Sequence, residues 1–198
     1  MPEAGLAERT AAAARMLLAP PDPALLAALA GAAEAPVEEE QARQDFYDFL
    51  CVLQSGCYVP PYVHVLARAE RKGEYWHFPP PRFDGGDGLR LWYDAGGFDP
   101  ASLAADPLIA GANRPLDHLG FVLAFLARLL ADAERQPEAR PLAATFIAQT
   151  LGPGTDLFAD LLAGSESPYA SLLGRGLAEL LGDLRAEFPD PEQAAEES

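Results

Sequence analysis

The stretch "LDHLGFVLAFLARLLADAE", residues 116–134, constrains this chain more than any other. Leu116, Leu119, Leu123, Leu126 and Leu130 recur at the three- and four-residue spacing that stacks side chains on one face of an α-helix. Phe121, Val122, Phe125 and Leu129 fill the remaining faces. A helix that is apolar almost all round has no side to offer water, so other elements must enclose it. It ends before Pro137, and it belongs at the centre of a bundle.

The enclosing elements also read as helices. Residues 5–18 form a first helix, stopped by "APPDP", and Ala24 to Ala30 a short second one. Pro36 opens a third that runs to about Gln54, with Ala42, Phe46, Phe49, Leu50 and Leu53 in helical register. Its early run Glu38-Glu39-Glu40 suits the positive end of the helix dipole. Pro60 and Pro61 begin another, with Gly73 as its stop. Asp87 is the cap expected for "GLRLWYDAGG", and Asp99-Pro100 for a short helical piece. Three more follow: "RPLAATFIAQTLG", "TDLFADLLAG" capped by Thr155, and "SPYASLLGRGLAELLGDLRAEF" capped by Ser167 with Pro168 at its first position.

Residues 74–88, "EYWHFPPPRFDGGDG", hold too many prolines and glycines for a regular element and read as a loop folded back by its aromatics. No segment shows a convincing strand pattern, and no repeat of fixed period is present. The expectation is an all-α protein: a single bundle of roughly nine helices over residues 1–188. A seam between halves, if the bundle has two, falls at 98–115, and residues 189–198 form an acidic tail expected to be disordered.

Charge narrows the functional classes. Fourteen Lys and Arg face thirty Asp and Glu, a formal net charge of −16. Nucleic acid is excluded as an expected partner, since phosphate binding needs a basic patch. Such acidity serves solubility or a basic partner. The two cysteines, Cys51 and Cys57, match no zinc or redox spacing and read as reduced, semi-buried thiols. The three histidines, His64, His77 and His118, have no second ligand at metal-binding spacing, so neither a metal nor another cofactor is expected. There is no serine-nucleophile elbow and no phosphate loop. The first residues carry neither a leader pattern nor a run long enough to span a bilayer, which points to the cytoplasm.

Two features invite chemistry. Asp117 and His118 sit together at the start of the apolar helix, but consecutive helical residues point about 100° apart and cannot easily pair with each other. Either Asp117 serves a helix N-terminus while His118 packs on a neighbour or caps a loop, or the pair does acid–base work. The aromatics Trp76, Phe78 and Phe83 either seal the end of the bundle or, with Trp92 and Tyr93, line a groove for an apolar peptide.

Several segments, in order, resemble the TorD/DmsD-type redox-enzyme maturation chaperones, which are grouped with the NarJ chaperones. They are "QDFYDFLCVLQ", "YVPPYVHVLA", "LRLWYDAGGFDP", "RPLDHLGFVLAFLARLL" and "SPYASLLGRGLAELL", together covering most of residues 40–185. The most specific is Pro115-Leu116-Asp117-His118-Leu119-Gly120. The chain departs from the family at Val122, where an acidic residue is often found. The resemblance implies an all-helical cytoplasmic chaperone, not an enzyme. Such a chaperone binds the apo catalytic subunit of a molybdopterin oxidoreductase, and often its twin-arginine signal peptide, before export.

It further implies a monomer or a domain-swapped homodimer, with recognition centred on the Asp-His signature. The guanine-nucleotide binding attributed to some members is not carried over, because no phosphate-binding motif is present. On this reading Asp117 makes the bidentate contact to a leader arginine. His118 stands at the groove lip beside Pro115 and Leu116, and Tyr93, Trp92, Trp76 and Phe78 supply apolar walls. The alternatives are a helical adaptor for an unrelated partner and a small helical hydrolase using Asp117 and His118.

Overall fold

The apolar stretch forms helix α6 (Leu119–Arg135), and the chain is built around it. The computed structural model describes residues 4–29, 36–111 and 115–189. Helix α1 (Leu6–Leu18) lies along α6 in the largest interface of the fold, and α7 (Arg140–Thr150) covers another side. Helices α8 (Pro153–Ala163) and α9 (Pro168–Glu187) pack on each other, and α9 reaches α1 and α3 (Glu39–Leu50). Three short helices complete the set: α2 (Pro23–Leu29), α4 (Val63–Leu66) and α5 (Leu89–Ala95). The described residues thus form an all-α bundle of nine helices.

One core runs through it. Leu17, Phe46, Leu126, Phe146, Phe158 and Leu184 are wholly buried, and Val122, the apolar slot noted above, is among them. Around Phe125 of α6, the rings of Tyr93, Phe98 and Phe146 stand 5.0–5.3 Å away at inclined angles, the arrangement favoured by aromatic quadrupoles. Ser167 caps α9 by accepting the Ala170 N–H at 3.0 Å, and its own hydroxyl donates to the buried Asp45 on α3 at 2.5 Å. A local cap therefore doubles as a tie between two helices.

Several boundaries differ from the sequence expectation. The third helix starts at Glu39 and stops at Leu50, where Val52 N–H returns to the Tyr47 carbonyl at 2.9 Å and turns the chain. Leu53 therefore lies outside the helix and is exposed. The helix expected from Pro60 to Gly73 is a single turn, α4. After it, β1 (Glu70–Lys72) pairs antiparallel with β2 (Tyr75–His77).

This hairpin replaces both the end of that helix and the start of the expected loop. Gly73, at φ 65°, makes a two-residue reversal rather than a helix stop. Asp87 does not cap α5, whose N-cap position is Gly88. Thr155 lies inside the first turn of α8, donating to the Gly152 carbonyl at 2.7 Å. Asp99 does cap its short 3-10 turn, accepting from Ala101 N–H at 2.9 Å.

The connector 98–111 is anchored to the body: Asp106 N–H donates to the Leu18 carbonyl at 2.7 Å, and its carboxylate accepts from the Tyr47 hydroxyl at 2.9 Å. The remainder of the expected seam, 112–114, and the expected tail from 190 lie outside the described residues. Cys51 is half-buried, whereas Cys57 is exposed rather than semi-buried. No helix among the described residues is long and apolar enough to cross a membrane.

The contact between α8 and α9 rests on Gly174, where a Cβ would stand 2.6 Å from the Ala159 carbonyl oxygen. Gly174→Ala is expected to lower stability by about 1–3 kcal/mol through overpacking. Gly176→Ala and Gly182→Ala, on the same helix with open space around them, are expected to raise it by up to about 1 kcal/mol. Thermal or urea unfolding of the three variants checks the contrast.

Candidate functional site

The chain enters α6 through a hydrogen-bonded knot. Residues 117–119 run antiparallel to 61–63: Leu119 N–H donates to the Pro61 carbonyl at 2.7 Å and Val63 N–H to the Asp117 carbonyl at 3.1 Å. His118 is the N-cap of α6, its Nδ1 accepting from Gly120 N–H at 3.1 Å, and its ring meets Tyr62 edge-on at 5.4 Å. Asp117 serves a different helix. Its carboxylate accepts from His64 N–H at 2.6 Å, in the first turn of α4, and from His64 Nδ1 at 2.7 Å.

On the far side of the imidazole, Nε2 accepts the Arg82 N–H at 3.0 Å. The bonding assigns the neutral tautomer with its proton on Nδ1. Loop 82–86 is thereby drawn across the site. Gly85 lies against the His64 ring and accepts Leu116 N–H at 3.1 Å on its carbonyl. Gly86, at φ 79°, leaves no room for a Cβ, which would stand 2.6 Å from the Asp117 Cβ. Above this, the Tyr93 hydroxyl donates to the Leu116 carbonyl at 3.1 Å. Burial, with the nearby Asp117 charge as the lesser cause, pushes the Tyr93 phenol far above the usual tyrosine range.

The eight residues picked out from the sequence do not share one surface. Pro115 is buried and Leu116 half-buried. Asp117 is 3 % exposed and His118 1 %, so neither stands at a groove lip and neither is within reach of an incoming arginine. The expected direct contact is therefore corrected. The carboxylate is already committed to an α4 amide and an imidazole, and the α6 cap needs the His118 ring. Tyr93 is a core residue, not a groove wall. Trp92 ties α5 to α7, edge-on to Phe146 at 5.2 Å, with Nε1 donating to Gln149 Oε1 at 3.1 Å.

Trp76 is half-buried beside a separate hollow under the hairpin, and Phe78 leans on the core. Phe83, 83 % exposed, seals nothing. The acid–base pairing at this site is Asp117 with His64, not with His118. It has the form of a carboxylate orienting an imidazole, yet the outer ring nitrogen is taken by a backbone N–H rather than by a nucleophile. Among the described residues no group of three or more His, Cys, Asp or Glu is placed to hold a metal ion.

An accessible surface that sequence reading missed lies behind the knot. Exposed Ala11 of α1, half-buried Ala124 and Ala131 of α6 and half-buried Leu103 line an open groove of about 530 Å³, whose deeper lining, Ala7, Ala14, Leu18, Phe98 and Ala127, belongs to the core. Glu8, Arg15 and Arg128 edge it. Arg15 is held by Asp22, while Arg128 donates to the Gly96 carbonyl at 3.1 Å with its guanidinium 5.7 Å from the Phe98 ring centroid. Alanines at helical spacing in both segments were the available signal, but alanine is also the best helix former, and the pattern reads first as propensity. No protein-family model, curated protein or solved structure matches this chain.

Two outcomes follow from the knot. Asp117→Ala and His64→Ala are expected to be coupled by about 1–3 kcal/mol in a double-mutant cycle, read from urea unfolding. Alkaline pH tests the buried phenols. Tyr93 and Tyr169 both have folded-state pKa values raised by burial, so their contribution is intact below an unfolded pKa of about 10 and is lost as pH rises beyond it. Unfolding free energy is expected to fall from about pH 10 to pH 12 by roughly 1 kcal/mol per unit of pH for each of the two phenols, and Tyr93→Phe is expected to remove about half of that fall.

Proposed function

We propose that this chain is a cytoplasmic chaperone of the TorD/DmsD type. In this role it holds the apo catalytic subunit of a molybdopterin oxidoreductase, with its twin-arginine leader, during cofactor insertion and before export. The observation that carries the proposal is the open α1/α6 groove, with alanines of both helices and Leu18, Phe98 and Leu103 among its lining. Small residues on two facing helices leave space for the side chains of a third, so the shape suits an apolar helical segment of a client. The sequence resemblance around residues 115–120 and the net charge of −16, which favours encounter with a basic segment, support the same reading.

The role of the signature changes in this proposal. Asp117 and His118 do not touch the client; they set where α6 begins. Gly120, the last signature residue, lies against Leu18, from whose Cγ a Cβ would stand 2.6 Å. That close approach lets α1 settle onto α6 and gives the groove its depth. A leader arginine finds its carboxylate at Glu8 on the groove edge instead, beside Arg15, which Asp22 pairs, and Arg128, which is held on the Gly96 carbonyl. An exposed ion pair of that kind is worth at most about 1 kcal/mol, so apolar burial at about 25 cal/mol per Å² supplies most of the affinity.

The test is calorimetry with leaders and apo-subunits of molybdopterin oxidoreductases. Ala11→Lys places a positive charge on the groove wall at an exposed helical position. It is expected to weaken leader binding about tenfold or more without lowering the melting temperature. Exchanging the leader's two arginines for lysines is expected to weaken binding, because a guanidinium fork is not replaced by a point charge. Failure to bind any leader or apo-subunit, or binding indifferent to Ala11→Lys, overturns the proposal.

A further inference from the structure

In and just before the hairpin two arginines have no carboxylate partner among the described residues, although the hairpin also carries the exposed Glu70 and Glu74. Acids outnumber bases roughly two to one in this chain, and most arginines face a carboxylate, as in Arg9–Asp183, Arg82–Asp84, Arg140–Glu187 and Arg185–Asp156. Arg68 and Arg71 are exceptions. Each uses Nε on a carbonyl of its own segment, Arg68 on His64 at 3.0 Å and Arg71 on Gly73 at 3.3 Å, and neither is in an ion pair among the described residues. Lys72 follows, with Glu70 at 3.6 Å as a loose partner. All three side chains are exposed.

Nearby lies an apolar hollow of about 320 Å³ lined by Val63, Leu66, Ala67, Trp76, Pro153 and Leu157. Arg71 stands directly opposite Trp76 in the hairpin ladder, so the two share a face. Arg68 falls between Ala67 and Ala69, both of which line the hollow. The back wall is fixed by close packing: a Cβ on Gly154 would stand 2.6 Å from the Leu66 carbonyl carbon. The hollow is therefore formed before any ligand arrives.

We propose that this surface docks an acidic peptide segment, with one apolar side chain seated beside Trp76 and flanking carboxylates on Arg68 and Arg71. Guanidinium forks favour carboxylates, which they bind bidentately, and the hollow asks for an aliphatic or aromatic anchor between them. A nucleic acid strand fits less well, since its backbone offers no such anchor. This surface shares no lining residue with the α1/α6 groove, so it stands or falls independently of leader binding.

The test uses the full chain carrying Trp92→Phe, which leaves Trp76 as the sole tryptophan. The probe is a short labelled peptide with Leu-Phe at its centre and Asp or Glu at the remaining positions. Saturable binding is expected by anisotropy, with a blue shift of Trp76 emission. Arg68→Glu and Arg71→Glu are each expected to weaken it about tenfold, as is replacing the central Leu-Phe by Gly-Gly. Arg135→Glu, remote on α6, and Ala11→Glu, in the other groove, are expected to leave it unchanged. The inference is overturned by absence of saturation, equal binding of a basic peptide of the same length, indifference to both charge reversals, or displacement of the peptide by single-stranded DNA.

Discussion

The fold depends on how one buried carboxylate is satisfied. An ionised Asp removed from water is costly unless donors surround it. Asp117 gathers its donors from the other side of the chain: a backbone N–H at the start of α4 and the imidazole of His64. Through that ring the constraint passes to the Arg82 amide and so to loop 82–86, whose Gly85 and Gly86 can lie this close because they lack side chains. Through the backbone it passes to Pro61 and Tyr62, and along α6 to the contact between Gly120 and Leu18 of α1. Four segments far apart in sequence thus meet at the mouth of the most apolar helix.

The position of the signature has a consequence for function. Residues 115–120 look like a recognition motif because they combine a charge, an imidazole and a turn. In this chain the charge is spent on α4, the imidazole on the cap of α6, and the glycine on the approach of α1. Their effect on a client is proposed to pass through the depth of the α1/α6 groove. A variant at Asp117 that loses binding carries no information about contact unless its stability is measured beside it.

The sequence disclosed the long elements and hid the short ones. Helices α1, α6 and α9 were legible because their apolar spacing persists over several turns and because Ser167 and the flanking prolines mark their ends. The hairpin was not, since three-residue strands are too short to show alternation, and Gly73 reads equally well as a helix stop or a hairpin turn. Asp117 and His118 were found as a pair, but the true partner of the carboxylate, His64, lies 53 residues upstream, and no local pattern announces it. Trp92, Trp76 and Tyr93 were recognised as large apolar groups. Which of them would be core, tie or rim depends on tertiary packing that composition does not encode.

Asp117→Asn keeps the shape of the side chain while removing its charge. The decisive measurement is to determine, on that one variant, both the free energy of unfolding in urea and the affinity for a twin-arginine leader per folded molecule. A carboxylate that acts as a fold element costs about 1–3 kcal/mol of stability when replaced, and leaves leader affinity within about twofold. Unchanged stability together with abolished leader binding would contradict this and return Asp117 to the client interface.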